Sequence, residues 1–336
     1  MIALSFDEKI LSRVIDNINR KRLRREMETA RRREDIYARI PRIAEIDEEL
    51  KTSSIKIISS SLRNGTNPVP GLGSLKEFNR SLRQEKADLL RKAGLPADWL
   101  DVKHDCPLCG DSGFLPSGPC NCLIEAYAAE QTKELSRLLP IENQTFDTFS
   151  LNLYSTEPDP KWGMSPRDNM TAVLDTCREF AAYFSPQTQN LLLCGGTGLG
   201  KTFLSSCIAG ELSRKGFSVI YDTAVNIFSA FEREKFGRDP DVCEEAASDV
   251  DRFLRCDLLI LDDLGTEMQS PFINTALYTL INTRLMRGKK MIINTNLSED
   301  VDIPRRYSPQ IVSRLKGEFL VLPFFGEDIR VKKNMW

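Results

Sequence analysis

The sequence predicts an α/β fold built on a parallel sheet, preceded by a mostly helical N-terminal region and a small zinc-binding segment. Three observations carry that prediction. From about residue 143 onward, apolar runs of strand length alternate with helical stretches, the pattern of a parallel sheet with crossover helices. Residues 195–202 read Gly-Gly-Thr-Gly-Leu-Gly-Lys-Thr directly after the apolar run 190–194, the strand, loop and helix start that a phosphate-binding loop requires. Ahead of that region, four cysteines fall inside seventeen residues, 106–122.

The expected division is 1–100 helical, 101–142 cysteine-bearing with a connecting helix, and 143–336 the α/β domain. A chain of 336 residues with 41% hydrophobic content has room for one large domain and one or two small ones. No apolar run approaches the ~18 residues of a membrane span, and Asp7, Glu8 and Lys9 interrupt any signal-peptide core. A cytoplasmic, reducing location is therefore expected, with no membrane partner. A net charge of −2 leaves no global footprint for nucleic acid, so any such contact has to come from a local patch.

Within the first hundred residues, Ile10, Val14 and Ile18 stand at helical spacing, as do Ile36 and Ile40, and Pro41 interrupts the pattern. The stripe at Ile10 can dock on a partner helix or pack within its own domain. Eight basic residues lie between Arg20 and Arg33, interspersed with Glu26 and Glu28, which favours a solvated helix face over a phosphate patch. A turn-rich linker is expected at 64–73, then helices at 75–93 and 123–138. Five strands are expected at 190–194, 217–222, 258–262, 291–294 and 319–322.

Cys106-Pro-Leu-Cys109, ten further residues, and Cys120-Asn-Cys122 form a compact set of thiols with glycines between them. In a reducing compartment such a cluster reads as metal ligands and not disulfides. Four-coordinate Zn²⁺ is its natural occupant, and a closed ligand shell makes the site structural. His104, the only histidine in the chain, could replace one thiol. Cys177, Cys194, Cys207, Cys243 and Cys256 sit in apolar contexts and read as small core residues.

In the loop, Gly195, Gly196, Thr197, Gly198, Leu199 and Gly200 supply backbone N–H groups to phosphates. Lys201 places a charge on the outer phosphate oxygens, and Thr202 offers a hydroxyl to Mg²⁺. The helix that begins there adds the positive end of its dipole. Asp262 and Asp263 end the apolar run 258–261, as a buried strand would deliver acids to its C-terminal edge; Asp262 would serve Mg²⁺ and Asp263 the attacking water. A further strand ends in Asn294-Thr295-Asn296, and either asparagine could polarise that water. Arg314 and Arg330 are candidates to stabilise phosphoryl charge, from the same subunit or a neighbour.

Taken in order, the loop at 195–202, Leu261-Asp-Asp-Leu-Gly-Thr-Glu267, Thr295-Asn-Leu-Ser298, Ser313-Arg-Leu315 and 326–330 resemble the AAA+ ATPases of the bacterial replicative-helicase loader family, the DnaC/DnaI type. IstB-type transposition ATPases share most of these motifs. The resemblance covers about residues 143–336. It implies an AAA+ P-loop fold, ATP hydrolysis, and ATP and Mg²⁺ as cofactors. By position it makes Asp262 and Asp263 the Walker B acids, Asn296 sensor 1, Arg314 an arginine finger acting across a subunit interface, and Arg330 sensor 2. Many AAA+ motors carry glutamate where this chain has Asp263, and the shorter acid suits a switch better than a fast motor.

The cysteine cluster ahead of the ATPase resembles the helicase-binding region of DnaI-type loaders. The implied partners are a hexameric replicative DNA helicase, single-stranded DNA and further copies of the chain. On the same resemblance, helices at about 223–236 and 241–255 would line a DNA pore, with Phe228, Phe231, Arg233 and Lys235 for stacking and charge, although burial in helix packing competes for the two phenylalanines. The alternatives are an IstB-type transposition accessory ATPase or a DNA-binding regulatory adaptor. A metabolic kinase is disfavoured because no acceptor site is evident.

Overall fold

A computed structural model of the chain describes residues 6–64 and 69–333, and their side chains except those of 53–75, 332 and 333. The described residues form two compact units, one drawn from 1–14 and 121–336 and the other Ile15–Cys120. The boundary at 120/121 falls inside the segment expected at 101–142, and the first turns of the chain join the larger unit.

The helices α1 (Glu8–Arg39), α2 (Pro41–Asn64) and α3 (Val69–Lys92) supply most of the smaller unit. Pro41 opens α2, where its missing N–H costs nothing, and the residue before a proline is biased away from helix, so the chain breaks at Ile40. Ile36, Ile43, Leu90 and Leu100 form a buried cluster, and the Arg33 guanidinium donates to the Leu100 carbonyl at 2.9 and 3.1 Å. Of the linker expected at 64–73, residues 65–68 lie outside the described residues, and from Val69 the chain is already helical. Pro70 stands in the first turn, which needs no N–H from it. Gly71 and Gly73 each cost a helix only about 1 kcal/mol. Along α1, Arg22 pairs with Glu26 and Arg24 with Glu28 one turn on, so the basic run is a solvated, charge-compensated face. A short hairpin of β1 (Phe114–Leu115) and β2 (Gly118–Pro119) completes the unit.

In the larger unit, α4 (Asn121–Leu135) and α5 (Pro166–Ala182) lead into β3 (Asn190–Gly195), α6 (Lys201–Arg214), β4 (Val219–Thr223), α7 (Ala224–Phe236), α8 (Pro240–Arg255) and β5 (Leu258–Leu264). There follow α9 (Pro271–Met286), β6 (Lys290–Thr295), α10 (Asp302–Arg306), α11 (Pro309–Glu318), β7 (Phe319–Phe324) and α12 (Ile329–Lys333). The five strands pair in parallel in the order β4-β5-β6-β3-β7, so β6 lies between the phosphate-loop strand and β5.

Alternation along each strand splits the core in two. Leu191, Leu193, Leu258, Ile260 and Ile292 pack with α5 and α6 residues such as Met170, Leu204 and Ile208. Leu192, Leu259, Leu261, Met291 and Ile293 pack with Phe228, Leu277 and Ile311 of α7, α9 and α11. Both faces are covered, as parallel sheets require.

Two alternatives left open by the sequence close here. Ile10 and Val14 are buried within their own unit, where the Asp7 carboxylate holds Arg252 at 2.6 Å and the Asp7 N–H donates to the Tyr127 hydroxyl at 2.8 Å. That stripe is not free for a partner helix. Phe228 and Phe231 on α7 are 1% and 7% exposed, so neither can stack on a nucleobase; the hydrophobic drive to close the sheet face claims both.

Candidate nucleotide site and cysteine knuckle

The C-terminal ends of β3, β5 and β6 converge beside the start of α6, the edge where parallel sheets bind ligands. The loop fits there because two residues have no Cβ. At Gly195 (φ 148°) an added Cβ would stand 2.0 Å from the Phe324 carbonyl oxygen, and at Gly198 (φ 71°) it would stand 1.8 Å from Asp328 Oδ1. The Ile329 N–H donates to the Gly198 carbonyl at 3.0 Å, fastening α12 to the loop.

Lys201 is buried, and its ammonium donates to the carbonyls of Gly195 and Gly196 at 2.7 Å each and to Asn296 Oδ1 at 2.8 Å. Burial pulls its pKa below the usual lysine value, against the opposing pull of Asp262 and Asp263. Asp262, 2% exposed, accepts from the Thr202 hydroxyl at 3.0 Å and the Tyr221 hydroxyl at 2.7 Å on Oδ2. Its Oδ1 accepts from the Asn294 amide at 3.0 Å and the Asp263 N–H at 2.9 Å.

Asp263 breaks the strand: its φ is 54°, and the pairing of β5 with β6 shifts register between Leu261 and Leu264. The kink turns its carboxylate out of the sheet into the cavity. Partial desolvation there, and the charge of Asp262, hold its pKa above the ordinary carboxylate value, while Lys201 and Arg330 oppose the rise. Asn294 is fully buried, with Oδ1 taken by the Ser205 hydroxyl at 3.0 Å. Of the two asparagines at the end of β6, only Asn296 lines the cavity.

The cavity measures about 740 Å³, within the ~300–1,000 Å³ of small-molecule sites. Residues 197–203, Asp263, Asn296 and Arg330 line it together with Gln144, Thr148, Phe149, Leu153 and Ile329. The structure thus gathers Lys201, Thr202, Asp263, Asn296 and Arg330, with Asp262 directly behind Thr202. It does not bring in Arg314. That guanidinium donates to Asn282 Oδ1 at 3.1 Å and lines a different hollow with Asn190 and Lys290, which begin β3 and β6. A strand of six residues separates that end of β3 from the phosphate loop, roughly 17 Å at ~3.3 Å per residue.

Several site residues escape sequence reasoning. Phe149 and Leu153 lie at and just before a short 3-10 turn, Leu151–Leu153, ahead of α5, without a motif. Tyr221 is one of several apolar or aromatic residues on β4. Glu267, almost fully buried, accepts from the Gly265 N–H at 2.7 Å, Arg306 at 3.1 Å and the Tyr307 hydroxyl at 2.6 Å, so the loop after β5 is tied to α10. Its place four residues after Asp263 was the available signal.

At the cysteine knuckle, the Sγ atoms of Cys106, Cys109, Cys120 and Cys122 all lie within 4.8 Å of one another. The Cys106–Cys120 separation is 3.7 Å, close to the ~3.8 Å edge of a tetrahedron with Zn–S bonds of about 2.3 Å. The donor set therefore fits zinc. His104 is outside that group, its Nδ1 facing Asp111 Oδ2 at 3.3 Å. Asp111 accepts from the Cys106 N–H at 2.8 Å, the Asp105 N–H at 3.2 Å and Arg25 at 3.0 Å. Burial pushes the Asp111 pKa up, but these bonds outweigh it and hold it below the ordinary value. Cys177, Cys194, Cys207 and Cys256 are buried as expected, whereas Cys243 is only half-buried on α8, its Sγ turned to the Arg233 carbonyl at 3.6 Å.

The parallel sheet and the phosphate loop at its edge form a P-loop nucleotide site on an AAA+-type fold. Residues 173–301 match the family described as IstB-like ATP binding protein. The chain is similar to the DnaC-type replicative-helicase loaders: it is 26% identical over 128 residues to "Replicative helicase loader DnaC" of Escherichia coli (strain K12), covering 38% of this chain and 51% of that protein. It is also 25% identical over 203 residues to the chromosomal replication initiator protein DnaA of Aliarcobacter butzleri, covering 58% of this chain and 42% of DnaA. The chain thus spans about half the length, or less, of the curated relatives it matches. Among solved structures, a DnaC helicase loader aligns with a TM-score of 0.44 at 23% identity, over 55% of this chain and 99% of that one. DnaI aligns with a TM-score of 0.43 at 19% identity, over 57% and 93%. Among the described residues no helix is long and apolar enough to cross a membrane.

Proposed function

We propose that this chain is an ATP-dependent loader of a replicative DNA helicase. In this reading residues 143–336 are the ATPase, 1–100 bind the helicase, and 101–142 carry the zinc knuckle. The observation that carries it is the division of the catalytic set: Lys201, Asp263, Asn296 and Arg330 meet in one cavity, while Arg314 stands at the opposite end of the sheet. An arginine so placed serves a neighbour's phosphates and not its own, which suits an assembly whose hydrolysis follows oligomerisation.

Within each subunit, the loop N–H groups and Lys201 would hold the phosphates, and Thr202 with Asp262 would hold Mg²⁺, whose charge would offset that of the phosphates. Lys201 exchanges its two loop carbonyls for phosphate oxygens when nucleotide enters. Asp263 orients the attacking water and takes its proton, with Asn296 positioning the same water. Hydrolysis removes the contact that Arg314 of a neighbour makes, and the assembly lets go.

Single-stranded DNA would meet α7. With Phe228 and Phe231 buried, stacking falls to the exposed Phe236, beside which Lys235 lies 5.8 Å from the ring centroid and 5.6 Å from that of Phe272.

The test is co-purification of the full chain with a hexameric replicative helicase in ATP and in ADP. Retention in ATP and release in ADP is the expected result; no association in either state would sink the loader reading. The match of 173–301 to IstB-like proteins favours a second reading, an accessory ATPase of transposition. That reading expects ATP-dependent binding to DNA with no helicase retained.

A further inference from the structure

Arg314 stands in the last two turns of α11 with its side chain 40% exposed. A long side chain in that state is spread over many rotamers, and ordering it has an entropic cost. An arginine that must meet phosphates on another subunit therefore gains from being held beforehand. Two groups hold this one. Glu318, one turn on along the same helix, lies 3.6 Å from Nη1, an exposed pair of the kind worth little. Asn282 comes from a different helix, α9, and its Oδ1 accepts from Nη2 at 3.1 Å. That bond fixes the arginine against the body of the domain and not merely against its own helix. Leu277, Leu280 and Ile281 of α9 share a buried cluster with Ile311 and Leu315 of α11, and the Ser308 N–H donates to Asn274 Oδ1 at 3.0 Å. The Asn282 Nδ2 in turn donates to the Met286 sulfur at 3.5 Å, so both ends of the amide are committed and its oxygen is turned to Arg314. A neutral oxygen orients a guanidinium without cancelling its charge, and it takes only one of the several N–H donors.

We propose that Asn282 is a positioning residue for the chemistry of a neighbouring subunit: it holds Arg314 at the angle from which the guanidinium reaches that neighbour's phosphates. This rests on the reading of Arg314 as an arginine that acts across a subunit interface. Asn282 lines the hollow of Arg314 and, among the described residues, is not one of those around the Lys201 cavity. Its effect is therefore felt in the subunit that lends the arginine and not in the one whose ATP is cleaved.

The experiment places one substitution in either of two roles. In an equimolar mixture of full-length Lys201→Ala and Arg314→Ala chains, the first lends its arginine and the second cleaves ATP. Adding Asn282→Ala to the Lys201→Ala chain should cut phosphate release by the mixture about fivefold, the effect of one lost hydrogen bond. Adding it to the Arg314→Ala chain should leave release unchanged. A substitution that merely loosened the fold would lower both mixtures alike. In the otherwise wild-type chain, Asn282→Ala should lower kcat by a similar factor and leave the KM for ATP unchanged. An equal effect in both placements, or release that rises when Asn282 is removed from the lending chain, would overturn the role of Asn282 and leave Arg314 acting across the interface. No recovery of hydrolysis in the parent mixture of Lys201→Ala with Arg314→Ala would overturn the trans arginine itself, and the role of Asn282 with it.

Discussion

The hydroxyl of Tyr221 on β4 donates to Oδ2 of Asp262 at 2.7 Å, on the same oxygen that Thr202 reaches at 3.0 Å. The carboxylate that would serve Mg²⁺ is therefore held from the neighbouring strand as well as from the loop. Were the Thr202 hydroxyl to turn to a metal ion, Tyr221 would be the remaining donor on Oδ2, beside the Asn294 amide and the Asp263 N–H on Oδ1. Tyr221→Phe should cost about 1 kcal/mol of stability and raise the Mg²⁺ concentration needed for half-maximal ATP binding several-fold. A Mg²⁺ titration followed with a fluorescent ATP analogue reads this, and an unchanged midpoint would remove Tyr221 from the metal site.

In the proposed mechanism Asp263 would link catalysis to stability. Its folded-state pKa is raised, so the folded protein holds the proton more tightly than the unfolded chain does. The resulting penalty is absent below the unfolded value, grows as pH rises through the interval between the two values, and is complete above the folded one. Asp263→Asn removes the charge and keeps a side chain that tolerates positive φ. The variant should melt higher than wild type at neutral pH in the absence of nucleotide, yet lose hydrolysis. Arg330→Ala removes one of the cations that oppose the shift, so an NMR titration of the Asp263 carboxyl should move further up in that variant. A downward move would contradict the account of the site's electrostatics.

The position of Arg314 gives a complementation test. Lys201→Ala should abolish nucleotide binding, and Arg314→Ala should bind ATP normally and hydrolyse little. Mixed in equal amounts, the two variants should regain part of the lost hydrolysis, because a Lys201→Ala subunit can still offer its Arg314 to an Arg314→Ala neighbour. Phosphate release that stays at the level of the single variants would place the arginine elsewhere in the mechanism.

The cysteine knuckle should carry one equivalent of zinc by elemental analysis. Removing it with a chelator, or by Cys106→Ser, should lower the helical signal of the 15–120 unit while ATP binding persists, since a structural site contributes directly to folding. Equal loss of ATP binding would show that zinc supports more than its own surroundings.

How much of this was legible beforehand follows from the range of each interaction. The five strands and the loop glycines were readable because burial on both faces leaves continuous apolar runs, and because phosphate binding fixes both residue type and spacing. The start of α3 was missed because glycine and proline at 70–73 looked like punctuation, although a helix absorbs them in its first turn. The division at 120/121 had no compositional mark. The role of Asn294, buried between Ser205 and Asp262, depended on pairings 89 and 32 residues away, which local pattern does not carry. Gln144, Phe149 and Leu153 share a cavity with Lys201 only through the fold.

The register shift at the end of β5 bears on which acids the chain can accept there. Left-handed backbone is tolerated best by glycine, asparagine and aspartate, whose short side chains bond locally, and the carboxylate at 263 occupies such a position at φ 54°. One more methylene would add strain at the same point that it added reach. The departure from the glutamate of the faster motors then has a conformational cause. The kink acts as a filter on residue identity, and in the proposed ATPase it would trade reach for a fixed acid beside the water, so that the tempo of hydrolysis would be a property of the backbone.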